Sequence, residues 1–518
     1  MGSEEQPVAN TNAQTEATPR LFIFGWDCAD WDVIEEAWRQ ERLPWLRSIA
    51  QRGQQGTALS TVPPVTALAW TSFLTGKSPG MHGIFGFRAV DSDYQMTPVP
   101  GGARKVPTLL QGLDELGYRT CQVTVPWTYP PDRLKNGVIV PGWDAPDESL
   151  DSCHPSWVGR ELSEIVDRIP RESPVQSDSS DYFARQAENI ELREKISSFL
   201  IDRLDPQIFI VVYPESDQAV HHMWRRPGIP QALIDTYERI DASMGRLIES
   251  HVREGDTVMV VSDHGAQLQQ THVHVGQLLQ SGGWLHLADT GPAKARVGRS
   301  LKKQVWYRMP PRFREMVGRS LSRKVRRRVS GSLRAAKIDW AKTTAFPVGN
   351  EHAGLGVYVN VNPPFRQGPV GPGDYEKTRS EVATYLGGIR DPSTGEPVFE
   401  KVARREEIYE GPELVNAPDL VLMPKDGYGT SSGTDFSAAI SRVAIGGHRR
   451  EGIFAVNRDV GMDRVEPLED VLPKTLASLR YPTAEVTEVT EAALEPEEYS
   501  AAEQEAVEER LRSLGYIE

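Results

Sequence analysis

The sequence predicts an α/β fold, with a central, mostly parallel sheet and helices on both faces. Short, wholly apolar runs recur along the chain: LFIFGW (21–26), QIFIVVY (207–213) and TVMVV (257–261). They lack the alternation of a sheet with one wet face, so both their faces are covered. Amphipathic segments of helical period separate them, the order expected when helical crossovers join parallel strands.

In chain order, residues 1–19 are polar and lack the apolar stretch of a signal peptide, so a disordered tail is expected. Residues 20–290 form the first part of the core. A buried strand at 21–27 precedes helical segments between Trp31 and Arg52, with Pro44 opening the second. A second strand is expected over TALSTV (57–62), then a short helix over 67–75 that stops at Gly76. Strands follow at 118–125 and 136–142. A long helix at 183–204 ends at Asp205-Pro206 before the 207–213 strand. A helix at 230–253 leads into the strand at 256–263. Residues 291–338 read as a basic helical insertion. The core resumes over 339–480, with a smaller α+β segment from about 354 to 440, and 481–518 form an acidic helical tail.

Composition bounds the function. The chain has 518 residues, 39% hydrophobic and 25% charged, which is globular rather than disordered. Its net charge of −14 argues against nucleic-acid binding over the whole surface. The charge is uneven: residues 294–337 hold sixteen Lys/Arg and one acid, leaving the rest near −29, while 484–518 carry −9. Trp306, Tyr307 and Phe313 lie among the cations, so 294–337 is either a solvated cover of the core or a contact for an anionic surface. Three cysteines cannot frame a disulfide scaffold, which suits a cytoplasmic location. No apolar run approaches the roughly 18 residues of a membrane span. The pattern fixes no oligomeric state.

The chemistry gathers at strand ends. Each of the three apolar strands ends in or leads to an acid: Asp27, Asp217 and Asp263. Open α/β sheets bind ligands outside the carboxyl ends of their strands. Three carboxylates there repel one another unless cations neutralise them. One such Asp reads equally well as a helix cap; three together do not. Asp217 and His221 share a helical face at i,i+4, with His222 pointing elsewhere. Asp263 is followed by His264 on a turn. His448, in the glycine-flanked turn GGHRREGIF, offers a third imidazole, and His352 competes for that role. Thr66 follows Pro63-Pro64 at the start of a short helix, where a hydroxyl serves as a cap or as a nucleophile beside an anion site. Four oxygen donors and three imidazoles suit two divalent ions that each keep an open position.

This ordered set resembles the alkaline phosphatase superfamily, and within it the type I phosphodiesterase/nucleotide pyrophosphatase family. The resemblance rests on Asp27 after the first strand, Thr66 with the downstream TGKSPGMHGI, S-D-x-x-x-H at 216–221, SDHG at 262–265 and GGHRREGIF at 446–454. It implies an alkaline-phosphatase-like sheet. It also implies that Thr66 is nucleophile and metal ligand, that Asp27, Asp263 and His264 complete that ion's site, and that Asp217, His221 and His448 hold a second ion. Zn²⁺ is the expected metal, with Mn²⁺ as the other candidate. The implied activity is hydrolysis of a small phosphate ester in two displacements through a phosphorylated threonine, with a phosphodiester as the leading substrate. A phosphomonoesterase or phosphomutase is the alternative, and a non-catalytic binder of anionic membranes or polyanions through 294–337 is the alternative of another class. Cys28 reads as a buried small hydrophobe. One departure stands out. The nucleotide pyrophosphatases carry an Asn three residues after the nucleophile to bind a phosphoryl oxygen, whereas this chain has Ala69 followed by Trp70. Its phosphate grip must differ, and the chain is similar to a wider bacterial group with PP-x-T-x-x-AW.

Overall fold

A computed structural model describes residues 18–171, 179–288, 338–350, 354–434, 436, 438–483 and 499–514. The basic segment 294–337, His352 and most of the first tail lie outside the described residues, as do 484–498 and 515–518 of the acidic tail.

Eight strands make the central sheet: β1 (Leu21–Trp26), β2 (Gln54–Leu59), β3 (Thr120–Val125), β4 (Val138–Pro141), β5 (Ile208–Tyr213), β6 (Thr257–Val261), β7 (Glu451–Val456) and β8 (Val465–Pro467). Their spatial order is β8-β2-β7-β6-β1-β5-β3-β4. Only β7 runs antiparallel to its neighbours, β2 and β6. The wholly apolar runs are the three central strands, β6, β1 and β5, and helices cover both faces. The period of two in β1 splits its side chains accordingly. Phe22, Phe24 and Trp26 enter a core with Val33, Leu46, Ile196 and Tyr237, while Leu21 and Ile23 enter another with Trp70, Phe73, Leu113 and Leu472. Each such side chain, fully buried, stabilises the fold by about 1.5–3 kcal/mol.

Two smaller sheets flank this one. A four-stranded antiparallel sheet (Ala345–Asn350, Gly354–Val359, Leu420–Pro424, Phe399–Arg404) packs with the helix Tyr375–Gly387, and it starts ahead of the expected 354. A three-stranded sheet joins Gly265–His274 to Tyr428–Ser431 and Ile440–Arg449. The C-terminal helix Ala501–Ser513 opens with a reciprocal Ser500/Glu503 capping box. Its Val507 and Leu511 pack on Val65, Ala67 and Leu68, behind the segment that bears Thr66. Among the described residues, no helix is long and apolar enough to cross a membrane.

Three local expectations change. The second strand ends at Leu59 rather than at 62. Pro63 and Pro64 cannot donate to a ladder, so the chain leaves the sheet before them. The short helix begins at Thr66, with Val65 as its cap residue and no side-chain cap bond; Gly76, at φ 64°, ends it as expected. His448 lies on the strand Ile440–Arg449, paired with Ala266, and not on a turn. Its neighbouring glycines serve close approach instead: a Cβ on Gly446 would sit 2.1 Å from Val220 O, and one on Gly447 2.3 Å from Gln269 Nε2.

Candidate active site

Strand β1 lies between β5 and β6 in register, so that Gly25 is opposite both Val212 and Val261. The three carboxyl ends therefore emerge side by side, as the sequence predicts. Asp27 follows β1 directly. The chain then turns sharply through Cys28, whose φ of 59° is left-handed and costs about 1 kcal/mol for a residue with a Cβ. That turn aims the Cys28 N–H at Asp263 Oδ1 (3.2 Å) and the Ala29 N–H at Ser262 Oγ (2.8 Å), tying the end of β1 to the end of β6. Beyond β5, the helix Glu215–Met223 carries Asp217 and His221 on one face.

The seven residues singled out in the sequence come together as two groups. In the first, His264 Nε2 lies 3.2 Å from Asp263 Oδ2, 3.8 Å from Asp27 Oδ1 and 3.5 Å from Thr66 Oγ1. In the second, His221 Nε2 and His448 Nε2 are 2.9 Å apart and lie 3.3 Å and 3.1 Å from Asp217 Oδ1. The rings of His264 and His448 stack at 3.9 Å and join the groups. Thr66 is buried, and its hydroxyl is not spent on capping. His222 turns away and stacks on Tyr182, as expected.

The donors fit divalent cations. Bonds of about 2.0–2.1 Å at tetrahedral angles put ligand atoms roughly 3.3 Å apart, close to the spacings seen in both groups. His221 Nδ1 faces Gly446 O at 3.1 Å and His448 Nδ1 faces Pro64 O at 3.0 Å. Carbonyls only accept, so both Nδ1 atoms donate to them and both Nε2 atoms are turned toward Asp217. Two ring nitrogens 2.9 Å apart beside a carboxylate gather around a shared positive charge, a proton or a metal ion. In the other group, Asp27 Oδ1 and Asp263 Oδ2 are buried with no hydrogen-bond partner among the described residues, and they face the same space as His264 Nε2. Burial first, then repulsion from Asp263 and Asp217, pushes the Asp27 carboxyl well above the usual carboxylate range; burial, with Asp217, does the same to Asp263 against the pull of the Cys28 N–H. Burial also opposes the charge of Asp217, but His221 and His448 hold its carboxyl well below that range. Burial and then His448 drive the His264 imidazole far down, so it stays neutral. A neutral imidazole and unpartnered carboxylate oxygens that share one space are what a cation site requires. Cys28 also lies within ligand reach of His264 and His448. Burial raises its thiol well above normal and its Sγ lies 3.4 Å from Gly265 O, so it is a protonated group and a poor ligand.

Supporting residues surround these. Asp30, fully buried, accepts from Ala266 N (3.1 Å) and from Arg449 Nε and Nη2 (2.6 and 2.7 Å), bracing the chain after His264 and the residue after His448. Arg193 and Glu215 form a fully buried ion pair at the start of the Asp217 helix. His82, from the HGI element, is pushed down to about 3 by burial and then Arg104. It is neutral: Nδ1 accepts from Ile84 N, so Nε2 donates to Ser72 Oγ and fastens the Thr66 helix. The sequence offered no signal for Asp30 or Arg193 as supporting residues. His82 was visible only as part of a motif. Trp70 donates its indole N–H to Asp27 Oδ2 at 3.2 Å.

The family model of type I phosphodiesterase / nucleotide pyrophosphatase matches residues 21–348. No curated protein matches the chain. Among solved structures, phosphonoacetate hydrolase from Sinorhizobium meliloti 1021, in complex with phosphonoformate, is similar at 16% identity and TM-score 0.55, covering 89% of this chain and 96% of that one. Human ectonucleotide pyrophosphatase / phosphodiesterase 5 is similar at 10% identity and TM-score 0.51, covering 91% and 100%. Its murine counterpart, as an inactive Thr-to-Ala variant in complex with AMP, gives 11% and 0.51, covering 91% and 99%. At these identities the structures speak for the fold, an alkaline-phosphatase-like one. The family match spans more than half the chain and includes the ends of β1, β5 and β6, so the chain belongs to the type I phosphodiesterase/nucleotide pyrophosphatase family and is a phosphoric ester hydrolase.

Proposed function

We propose that the chain is a divalent-metal-dependent phosphodiesterase in which Thr66 is the nucleophile. The observation that carries this reading is Thr66 Oγ1, buried, free of any capping role and 3.5 Å from His264 Nε2, beside two convergent donor groups. Asp27, Asp263, His264 and Thr66 would hold one ion, and Asp217, His221 and His448 the other. Zn²⁺ suits the nitrogen- and oxygen-rich donor set and Mn²⁺ is compatible with it. Bound ions would neutralise phosphoryl charge and make hydroxyl and water oxygens nucleophilic near neutral pH.

The chain's own groups do the rest. Thr66 Oγ would attack phosphorus in line; the Thr66 O–P bond forms as the bond to the leaving oxygen breaks, and the proton lost from Thr66 is balanced by the one that the departing alcohol takes up. Water then attacks the phosphothreonine, releasing the phosphomonoester and restoring Thr66. The N–H groups in the first turn of the Thr66–Thr75 helix have no intrahelical acceptor and would be available to a phosphoryl group on Thr66. They stand where the resemblance leads one to expect an Asn. Ala69 packs into the core instead. The inactive Thr-to-Ala variant with AMP among the similar structures supports a threonine in this role.

The test is metal content by elemental mass spectrometry, with turnover of bis(p-nitrophenyl) phosphate and p-nitrophenyl phosphate on the same sample. Two ions per chain and faster diester cleavage are expected. Faster monoester cleavage would shift the reading to a phosphomonoesterase or phosphomutase. Thr66→Ala should lower kcat roughly a thousandfold or more while the fold persists. Normal turnover in that variant would remove the nucleophile assignment.

A further inference from the structure

By the period of two, Gly25 of β1 belongs to the face that carries Leu21 and Ile23. A Cβ at Gly25 would lie 2.6 Å from Trp70 Cη2 and 2.7 Å from Val212 Cγ2, so the missing side chain is the slot the indole fills. Trp70 is fully buried and stands one helical turn after Thr66, on the same face of the helix. From there its Nε1–H reaches across β1 to Asp27 Oδ2 at 3.2 Å. The other oxygen of that carboxylate, Oδ1, points at His264 Nε2 and has no hydrogen-bond partner among the described residues.

The two oxygens of Asp27 are therefore divided between two tasks. One is anchored by an indole, and the other is presented to the donor group. A carboxylate with one oxygen anchored cannot rotate the other out of line. The anchor rises from the nucleophile's own helix, so it also fixes the distance between Asp27 and Thr66. Asp263 is divided in the same way, but by a backbone donor, the Cys28 N–H on Oδ1.

We infer that Trp70 is a positioning residue: its indole N–H selects the oxygen that Asp27 offers to the ion beside Thr66, and so sets the affinity of that ion and not of the other. This inference rests on the metal-dependent reading above. Groups that orient metal ligands in this way typically change metal affinity 10–100-fold when lost. It also gives the Trp70 that follows Ala69 a purpose: the helix offers a polar contact to a carboxylate there.

The experiment replaces Trp70 alone with benzothienylalanine, which keeps the ring and removes the N–H, with Trp70→Phe as the genetic companion. Protein stripped by chelation is titrated with Co²⁺, followed by visible absorption, and with Zn²⁺ by calorimetry. Wild-type protein should take up two ions. The variants should bind one of them about 10–100-fold more weakly and the other as wild type does, with kcat largely recovered at saturating metal. Unchanged binding of both ions, or equal weakening of both, would overturn the inference. Wild-type protein that binds no ion would overturn the metal reading itself, a result distinct from either.

Discussion

The same pair of antiparallel strands, Gly265–His274 and Ile440–Arg449, carries a histidine cluster at each end, and the two clusters differ in what their nitrogens face. At one end, His264 leads into the first strand and His448 pairs with Ala266; their Nε2 atoms converge on carboxylates and on Thr66. At the other, Ser441 pairs with His272, and the partners are neutral. His274 bonds Ser431 Oγ through Nδ1 and Ser441 Oγ through Nε2, both at 2.9 Å, and His272 Nε2 donates to Gln269 Oε1 at 3.1 Å. Both clusters are buried, and burial lowers the basicity of His264, His272 and His274 alike. Burial therefore does not separate a ligand from a structural histidine. The separation lies in what the nitrogens face: the Nε2 atoms of His221, His264 and His448 face carboxylates, whereas both nitrogens of His274 are satisfied by serine hydroxyls.

The largest expected effect breaks one cluster and spares the other. His448→Ala should remove one of two ions and lower turnover roughly a thousandfold or more, as loss of a group acting in a unit does. His274→Ala should keep both ions and near-normal kcat, and cost about 1–3 kcal/mol of stability through the serines left unpaired. Elemental analysis with thermal unfolding on both variants checks the pair. A metal deficit in His274→Ala would erase the distinction.

Acid sharpens it next. Burial first, then His274, pushes His272 down to about 4, and burial does the same to His274. Their unfolded value is 6.5, so between pH 6.5 and about 4 the unfolded chain binds protons that the folded chain refuses. Stability is therefore full above pH 6.5 and is lost as pH falls, by up to about 1.4 kcal/mol per pH unit for each histidine. Denaturant unfolding of chelated protein isolates this effect from metal loss. His272→Gln should flatten the slope, and an unchanged slope would place the acid sensitivity elsewhere.

These contrasts also mark what the sequence reveals. Asp27, Asp217 and Asp263 were legible because apolar runs end at them, and a parallel sheet brings such ends together. Asp217 with His221 was legible through helical spacing. His448 was found as a ligand candidate but misplaced on a turn, because two glycines ahead of a histidine read as punctuation. They are strand residues: Gly446 lets the backbone press against Val220 O, and Gly447 leaves room for the Gln269 side chain. Trp70 was legible as a departure without a purpose, since its bond to Asp27 spans 43 residues and depends on a slot made by Gly25. Asp30 and Arg449 lie 419 residues apart, and no local pattern encodes a pair of that separation.

That pair supplies the smallest and most discriminating contrast, because it sits at the end of the strands that carries the two donor groups without belonging to either. Asp30→Asn keeps an oxygen to accept from Asp32 N, which caps the Trp31–Arg39 helix. It removes the charge that faces Arg449. Burial already pushes the Asp30 carboxyl up to about 6 despite Arg449, so the charge is held at a cost and its loss is partly offset. The Arg449 side chain is 23% exposed and can take up water in its place. The expected loss is therefore about 1–2 kcal/mol of stability, less than for a fully buried charged partner. Both ions should remain bound, and turnover should fall only a few-fold, because Ala266 and Arg449 each adjoin a residue of the donor set and would shift slightly. Loss of an ion in Asp30→Asn would extend the proposed ion site outward, to include the brace as well as the donor groups. An unchanged melting temperature would show instead that the pair contributes nothing beyond what water supplies.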